Sequence, residues 1–277
     1  MAPLRLALAQ LACQDSHVEH NMERISQVVR EYGSGHDVIV FPECYVTGFL
    51  GESIGHRLAE PLSGPIVQRL RRLANDAATH IVVGFLEAHD EKVYNTSVLV
   101  GAEGVLLAYR KIHLWTNERW LDPGDTVGRA TLPWGQVGLL ICYDIEFPEP
   151  SRATSLLGSE LIILTNGNMA PYGPTHRLAI RARAQENQIF VAMANRVGHD
   201  GSVQYVGGSC VANPFGEIVE ELGPDKEDVL SIDLDLAPVH ESRRHYSYLR
   251  ERRIIVSEPP HVADSDHVTW TLKTLRS

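Results

Sequence analysis

Hydrophobic positions along the chain follow two spacings. Short apolar runs of strand length recur, and between several of them apolar residues return every three or four positions, as on one face of a helix. The apolar runs predict strands at residues 5–10, 37–41, 81–86, 94–100, 105–109, 136–141, 161–165, 189–195, 205–213, 218–222 and 229–233. The helical spacing predicts helices at residues 18–32, 65–79, 149–157, 174–188 and 236–245. Ser63 is the expected N-cap of the second helix.

The order of these elements predicts the fold class. Helices interleave with apolar strands in the first and third quarters of the chain, and hairpin-like strand pairs lie between and after them. This order predicts an α/β fold with a mixed sheet system and helices covering the outside. Because no linker or composition break divides the chain, we expect a single domain over residues 1–277. We expect residues 254–277, which have little periodicity, to form a C-terminal arm at a subunit interface.

Composition and charge limit the classes of protein to which this chain can belong. Apolar content of 44% and charged content of 22% are ordinary for a soluble globular protein. The formal net charge of −10 disfavours a nucleic acid or an anionic membrane as the main partner. No apolar run reaches the ~18 residues that a membrane helix needs. The N-terminal stretch contains Arg5 and Gln10 and alternates like a strand, so we interpret it as a core strand of a cytoplasmic protein.

The cysteines and histidines do not predict a metal site. The four cysteines are widely spaced and form no CxxC pair, which favours reduced thiols. We interpret Cys13, Cys44 and Cys210 as packing residues. His17 and His20 lack an accompanying carboxylate set, and a solvated helix face explains them better than a metal. We expect no cofactor, since the chain also lacks a GxGxxG motif and a P-loop.

Four apolar strands each end near a reactive polar side chain: Glu43, Lys111, Cys142 and Asn166. Strand ends gather at one edge of a layered α/β protein, so a base, a cation and a nucleophile could meet there. Each residue also has a structural alternative. Glu43 could cap the next segment, Lys111 could be an ordinary strand-end charge, and a thiol on an apolar strand is most often a core residue.

Three motifs surround these residues. They are Phe41-Pro42-Glu43 with Thr47-Gly48, Arg110-Lys111-Ile112-His113-Leu114, and Cys142-Tyr143-Asp144-Ile145-Glu146-Phe147-Pro148-Glu149. In this order they resemble the signature blocks of the nitrilase superfamily of carbon–nitrogen hydrolases, and segments 181–187 and 194–195 extend the resemblance over nearly the whole chain. The resemblance implies a nitrilase-like αββα sandwich of the four-layer type. It also implies pairing across subunits into a larger sandwich, as a homodimer or higher homo-oligomer.

The resemblance further implies roles for particular residues. Glu43, Lys111 and Cys142 match the catalytic triad, and Glu118 matches an additional active-site glutamate that orients substrate or holds Lys111. A surface acid is the alternative interpretation of Glu118. A free thiol has a pKa of ~8.5 and is mostly protonated at neutral pH, so it needs a base or a nearby cation to react. Lys111 and the backbone N–H of Tyr143 would stabilise the oxyanion.

The residues after the nucleophile bear on substrate choice. The Cys-Tyr-Asp sequence resembles amidases of the superfamily more than its nitrilases, which more often have Cys-Trp-Glu. Glu146 could attract an amino group, which favours an ω-amino amide or another small aliphatic amide; alternatively it pairs with a neighbouring arginine, such as Arg152, and does not meet the substrate. Candidate pocket walls are Tyr143, Trp115, Asn166 and Met169.

We therefore expect a hydrolase that converts a small-molecule aliphatic carboxamide to an acid and ammonia through a thioester on Cys142. Within the family, hydrolysis of N-carbamoyl amines or amino acids, or of nitriles, is the alternative. Two alternatives come from other classes: a catalytically silent binding subunit with the same fold, and a papain-like Cys–His hydrolase. The papain-like alternative would depend on a histidine and would not need Glu43 or Lys111.

Overall fold

The computed structural model describes residues 3–201, 203–252, 261–262 and 267–271, the last two ranges as backbone. The helices are α1 (Val18–Tyr32), α2 (Glu52–Leu58), α3 (Pro65–Ala77), α4 (Pro148–Leu156), α5 (Gly173–Asn187) and α6 (Ala237–Ser242). The strands are β1 (Leu4–Gln10), β2 (Val38–Val40), β3 (His80–His89), β4 (Lys92–Gly101), β5 (Gly104–Arg110), β6 (Thr126–Leu132), β7 (Gly135–Ile141), β8 (Leu161–Asn166), β9 (Phe190–Asn195), β10 (Val197–Asp200), β11 (Val203–Val206), β12 (Cys210–Ala212), β13 (Ile218–Glu221), β14 (Asp228–Leu234), β15 (His261–Val262) and β16 (His267–Thr271). Short 3₁₀ helices occupy Gly33–Gly35, Thr116–Glu118 and Cys142–Glu146.

Two mixed sheets pack face to face, and helices cover the outside of each. The first sheet has the order β14-β1-β2-β3-β4-β5, and the second has the order β13-β12-β9-β8-β7-β6-β16-β15. In the centre of each sheet three strands run parallel, β1-β2-β3 and β7-β8-β9. Helices α1 and α3 pack on the first sheet, and α4 and α5 pack on the second. The architecture is the expected four-layer αββα sandwich.

The central strands are buried on both faces. In β1, Leu6 and Leu8 point into the core between the two sheets, whereas Ala7 and Ala9 point towards α1 and α3. This alternation follows from the two-residue period of a strand. Because both faces meet apolar neighbours, the parallel strands are nearly continuous apolar runs, which is why their positions could be predicted.

The expected N-cap of α3 is wrong. Ser63 makes no capping hydrogen bond, and Gly64 occupies the N-cap position. Pro65 has no N–H, so Ile66 supplies the first free donor of the helix. That N–H donates to Glu60 Oε2 at 2.9 Å. A carboxylate from the preceding loop therefore does what a capping serine would do, and its negative charge suits the helix N-terminus.

The predicted strand at 205–213 is also wrong. Gly207 and Gly208 have φ values of 48° and 68°, and this left-handed turn ends β11 before β12 begins. As a result β11 pairs with β10 in a separate hairpin, while β12 joins the second sheet. Helix α2 and strand β6 were not predicted, and neither were strands β10, β15 and β16. Helix α2 has only 7 residues, too few for a helical period to stand out.

Part of the C-terminal arm falls among the described residues. Within 254–277, the backbone of β15 and β16 is described, and β16 pairs antiparallel with β6 of the same chain. The rest of that segment lies outside the described residues. Its place at a subunit interface stays a prediction, as does the assignment of the whole chain to one domain. In the described part of the chain, no helix is both long and apolar enough to span a membrane.

Candidate active site

Glu43, Lys111 and Cys142 meet where strands of both sheets end. Glu43 follows β2, Lys111 follows β5, and Cys142 follows β7. The side chains of Glu43 and Lys111 are almost fully buried, and Lys111 Nζ lies 2.7 Å from Glu43 Oε1. Both charged groups act electrostatically on the Cys142 thiol. Packing of the two sheets therefore brings together three groups that are far apart in sequence.

Glu118 belongs to the same cluster, and its interpretation as a surface acid is wrong. Its carboxylate accepts a hydrogen bond from Lys111 Nζ at 2.6 Å and one from the backbone N–H of Trp115 at 2.8 Å. The side chain is buried. Lys111 therefore bridges two carboxylates. An ammonium group has three N–H donors, so one remains beyond these two bonds.

Asn95 completes the cluster and was not predicted. It lies on β4 and is fully buried. Its Nδ2 donates to Glu43 Oε1 and to Glu118 Oε1, both at 2.8 Å. Both amide hydrogens are used, so the two carboxylates are held at a fixed separation. The available signal was the polar run Asn95-Thr96-Ser97 inside an otherwise apolar strand.

The cluster holds two carboxylates and one ammonium in a buried place. Burial raises the pKa of Glu43, and the Lys111 charge lowers it; with the Glu118 charge added, the net pKa lies above the ordinary value. For Lys111, burial by itself would lower the pKa. The charges of Glu118 and Glu43 outweigh that effect and hold its pKa well above the ordinary value. Lys111 therefore stays an ammonium ion.

Cys142 is a protonated thiol in the resting site. Burial raises its pKa, and the Glu43 charge raises it further; Lys111 and the backbone N–H of Gly167 oppose this, but the pKa stays well above the ordinary value. The thiol therefore needs a base. Among the described residues, Glu43 Oε2 has no hydrogen-bond partner, so this oxygen can accept a proton.

The backbone at Cys142 is strained. Its φ of 42° lies in the left-handed region that non-glycine residues rarely adopt, and such strain is concentrated at functional sites. The strain arises where β7 turns directly into the 3₁₀ helix Cys142–Glu146. The next residue, Tyr143, lies in the first turn of this helix, where backbone N–H groups lack partners within the helix. Its N–H is therefore available to an oxyanion.

Asp144 fixes the turn that carries Cys142. Its fully buried carboxylate accepts a hydrogen bond from the Tyr109 hydroxyl at 2.8 Å and one from the backbone N–H of His113 at 2.9 Å. Asp144 Oδ1, which accepts from the His113 backbone N–H, also lies 2.8 Å from His113 Nδ1. Tyr109 and His113 flank Lys111, so Asp144 links the segment of the thiol to the segment of the ammonium group. These positioning residues were not predicted.

A cavity of about 220 Å³ opens above the cluster. Glu43, Lys111, Glu118 and Cys142 are among its lining residues, as are four residues proposed from sequence: Trp115, Tyr143, Glu146 and Met169. Sequence reasoning missed Phe49, Trp120, Tyr172, His176 and Tyr205, which also line it. The volume is below the ~300–1,000 Å³ typical of pockets for drug-sized ligands. The cavity therefore suits a small molecule.

Two predicted contacts are wrong. Asn166 does not line the cavity; its side chain is fully buried and bonds to His176 and Met193 instead. Glu146 does not pair with Arg152, which donates to a backbone carbonyl of α5. Glu146 Oε1 instead lies 3.0 Å from Nε2 of His176, which enters from the first turn of α5. Proximity in sequence favoured Arg152, but the packing of α5 against the 3₁₀ helix decided the partner.

The other three cysteines, and also His17 and His20, have the burial that was predicted for them. Cys13, Cys44 and Cys210 are buried free thiols, and His17 and His20 are exposed. Within the ranges that the structure describes, no group of three or more His, Cys, Asp and Glu side chains is placed to hold a metal ion. The chemistry available at the cavity floor is that of a thiol, a carboxylate base and a fixed cation. This set suits acyl transfer.

The family model described as carbon-nitrogen hydrolase matches residues 5–244. An (R)-stereoselective amidase of a Pseudomonas species is 44% identical over 256 residues, which cover 92% of this chain and 93% of that protein. An omega-amidase of Homo sapiens is 33% identical over 269 residues, which cover 91% of this chain and 96% of that protein.

A solved structure is similar over nearly the same length. It is a glutamate-to-glutamine variant of the amidase from Nesterenkonia sp. AN1, with the acetamide moiety of fluoroacetamide covalently added to its active-site cysteine. The TM-score is 0.80 at 27% sequence identity, and the match covers 91% of this chain and 94% of that chain.

Proposed function

Because the chain belongs to the carbon–nitrogen hydrolase family, we propose that it is an amidase that hydrolyses a small aliphatic carboxamide to a carboxylic acid and ammonia. The observation that carries this proposal is the bridge from Lys111 to Glu43 and Glu118 beside the Cys142 thiol. A base, a fixed cation and a nucleophile are the parts that acyl transfer through a thioester requires. The relatives named as amidases support the same reaction.

The first half-reaction forms the thioester. Glu43 takes the proton of the Cys142 thiol while Sγ adds to the amide carbonyl carbon, and the electron pair of the C=O bond moves onto oxygen. The third N–H of Lys111 and the backbone N–H of Tyr143 stabilise this oxyanion. Glu43 then gives its proton to the amide nitrogen. The C–N bond breaks, ammonia leaves, and the acyl group stays on Sγ.

The second half-reaction consumes one water. Glu43 removes a proton from the water as its oxygen adds to the thioester carbonyl, and the same donors stabilise the second oxyanion. The C–S bond then breaks, and the proton returns from Glu43 to Sγ as the acid is released. Glu43 works in both steps because its raised pKa brings it closer to neutral pH, where a carboxyl group exchanges protons readily.

Two further residues position these groups. Glu118 gives Lys111 a second carboxylate partner besides Glu43, and its negative charge helps to keep the lysine protonated. Asn95 donates to both carboxylates and fixes their separation. A papain-like mechanism fits less well, because the charged groups that act on Cys142 are Glu43, Lys111 and Glu118. A silent binding subunit would not need a strained thiol beside an open carboxylate oxygen.

Ammonia release from propanamide and butanamide tests the proposal. Cys142→Ala should lower the rate by ~10⁴-fold or more, as expected when a covalent nucleophile is lost. Cys210→Ala is the matched control, since Cys210 is a buried thiol on β12, and it should keep the wild-type rate. Full activity of Cys142→Ala would contradict the mechanism. The matching nitrile and N-carbamoyl amine should react more slowly than the amide; a faster nitrile reaction would assign the protein as a nitrilase.

We also infer a homodimer. Leu178, on the outer surface of α5, is 67% exposed, and Phe215, in the turn beside that helix, is 50% exposed. Arg181 Nε donates to the Gly216 carbonyl and ties this turn to α5. Exposed apolar patches on folded proteins commonly mark interfaces. Sedimentation should show a dimer or larger species for the wild type and a monomer for Leu178→Glu; a monomeric wild type would contradict the inference.

A reducing compartment such as the cytoplasm is the proposed location. All four cysteines are free thiols. Free thiols suit a reducing environment, and the mechanism requires that Cys142 stay reduced. Thiol titration of the protein isolated under anaerobic conditions should count four free thiols; a disulfide in that material would contradict this location.

A further inference from the structure

One wall of the cavity combines aromatic rings with a carboxylate. The Trp115 ring meets Tyr143 edge-on, with centroids 4.9 Å apart, and it meets Tyr172 edge-on at 5.3 Å. Tyr143 and Glu146 are three residues apart in one 3₁₀ helix, where side chains at i and i+3 lie on the same side. All four residues line the cavity. We call these four residues the aromatic–acidic wall.

His176 holds Glu146 in place without cancelling its charge. Asn166 Nδ2 lies 3.2 Å from His176 Nδ1 and 2.8 Å from Met193 Sδ. The thioether can only accept, so this end of the amide is its NH₂ group, and His176 Nδ1 must accept as well. The imidazole proton is therefore on Nε2, which donates to Glu146 Oε1 at 3.0 Å. A neutral imidazole adds no positive charge, and the guanidinium of Arg183 bonds to the backbone carbonyl of Glu146 and pairs with Glu186, so it does not contact the Glu146 carboxylate.

Nothing else among the described lining residues supplies a cation for Glu146. Lys111 is the only lysine or arginine among them, and it is engaged by Glu43 and Glu118. Asp200 adds a further acid to the lining. The guanidinium of Arg196 packs against the Tyr205 ring and pairs with Asp15, and Arg196 is absent from the lining. The charges of the lining therefore favour a ligand group that carries a positive charge.

We propose that the aromatic–acidic wall is an ammonium subsite, and that the preferred substrates are small primary amides with a protonated amino group at the end remote from the carboxamide. The proposal rests on the amidase function above. Aromatic faces attract cations through the ring quadrupole, and Glu146 offers a charge-assisted hydrogen bond. An amide ending in a carboxylate would instead meet Glu146 and Asp200 with like charge.

Three substrates of similar length separate these possibilities. They are 4-aminobutanamide, pentanamide and succinamate, which end in an ammonium, a methyl and a carboxylate group. At pH 7 an alkylammonium is fully protonated. We expect kcat/KM for 4-aminobutanamide to exceed that for pentanamide by about tenfold or more, with succinamate the poorest substrate. A kcat/KM for pentanamide or succinamate equal to or above that for 4-aminobutanamide would overturn the subsite.

A charge-removing variant locates the effect. Glu146→Gln keeps the shape of the side chain, and it should lower the ratio of kcat/KM between 4-aminobutanamide and pentanamide by about tenfold. Glu149→Gln is the matched control. It removes the same charge three positions further on, in the first turn of α4, where Glu149 is exposed, so the ratio should not change. An unchanged ratio in Glu146→Gln, or an equal fall in Glu149→Gln, would contradict the assignment.

Inhibition of the unaltered enzyme gives a second readout that does not depend on a variant folding. Butylammonium should inhibit pentanamide hydrolysis competitively, with a Ki about tenfold below that of butan-1-ol, its neutral counterpart. Equal Ki values would contradict the subsite. The proposed function fails separately: if none of the amides releases ammonia, the amidase proposal is wrong, whereas hydrolysis of pentanamide without a preference for the ammonium substrate rejects only the subsite.

Discussion

Substitution of Asn95 tests whether the geometry of the active site matters for the reaction. Replacing it with alanine removes both hydrogen bonds that hold the carboxylates of Glu43 and Glu118, each 2.8 Å long. The carboxylates keep their bonds to Lys111, and Glu118 also keeps the Trp115 N–H. The cluster should therefore survive in a looser form. The variant therefore tests whether the reaction depends on the fixed spacing of the Glu43 and Glu118 carboxylates.

The size of the effect follows from the kind of bond lost. Hydrogen bonds to charged groups contribute ~1.5–3 kcal/mol each to stability, so losing two of them sets an upper range of ~3–6 kcal/mol. Because other partners remain, we expect the free energy of unfolding to fall by about 3 kcal/mol. We expect kcat/KM to fall by ~10²-fold, since small displacements of positioned groups carry costs of that order.

The variant should also change the pH profile. Asn95 donates to the ionised form of Glu43, so removing this donor raises the pKa of Glu43 further. The base must be ionised to accept the thiol proton, so the acid limb of kcat/KM should move to higher pH. Burial already places this pKa above the ordinary value. The measurement is kcat/KM for butanamide from about pH 5 to pH 9.

Ser97→Ala is the control for Asn95→Ala. Ser97 lies two positions further along β4 on the same face, and its buried hydroxyl makes no hydrogen bond in the described part of the protein. Its removal should change the free energy of unfolding by less than ~1 kcal/mol and leave the acid limb in place. If Asn95→Ala kept the wild-type rate and acid limb, the argument for fixed spacing would be refuted.

Three further variants test other parts of the structure. Tyr109→Phe removes the hydroxyl bonded to Asp144, and should lower the free energy of unfolding by ~1–3 kcal/mol and the rate severalfold, measured by urea unfolding and butanamide kinetics. Glu60→Ala removes the acceptor of the Ile66 N–H, and should cost ~1 kcal/mol of stability with kcat unchanged; a loss of activity without a loss of stability would argue against a capping role. Glu43→Gln removes a carboxyl whose pKa is raised in the folded state. Such a group binds its proton more tightly in the folded state, so its contribution to stability falls as pH rises from the unfolded-state pKa towards the folded one. The stability of Glu43→Gln relative to the wild type should therefore increase between about pH 5 and pH 8, and a relative decrease would contradict the raised pKa.

Elements of the fold could be predicted from sequence where burial requires apolar residues. The central strands are apolar on both faces, so β7, β8 and β9 were predictable from hydrophobicity. The hairpin of β10 and β11 was not, because its short strands are partly exposed and a pair of glycines redirects the chain. Helix α3 was predicted, but its cap was not. The Glu60 carboxylate reaches the helix through loop geometry that no local motif encodes.

The candidate site shows the same division. Glu43, Lys111 and Cys142 carry motifs at strand ends, so their meeting could be anticipated. Asn95 and the His176 partner of Glu146 depend on how strands and helices pack across the sandwich, which sequence spacing does not reveal. Asn166 ends β8 as expected, but its side chain bonds to His176 and does not line the cavity.

The most direct test of the central claim is to trap the acyl intermediate. The enzyme is mixed with butanamide, quenched in acid within its first turnovers, and its peptides are analysed by mass. A butanoyl group should appear on the peptide that contains Cys142, and it should be absent from Cys142→Ala. Ammonia release without any acyl adduct, or an adduct confined to Cys44, would contradict Cys142 as the nucleophile.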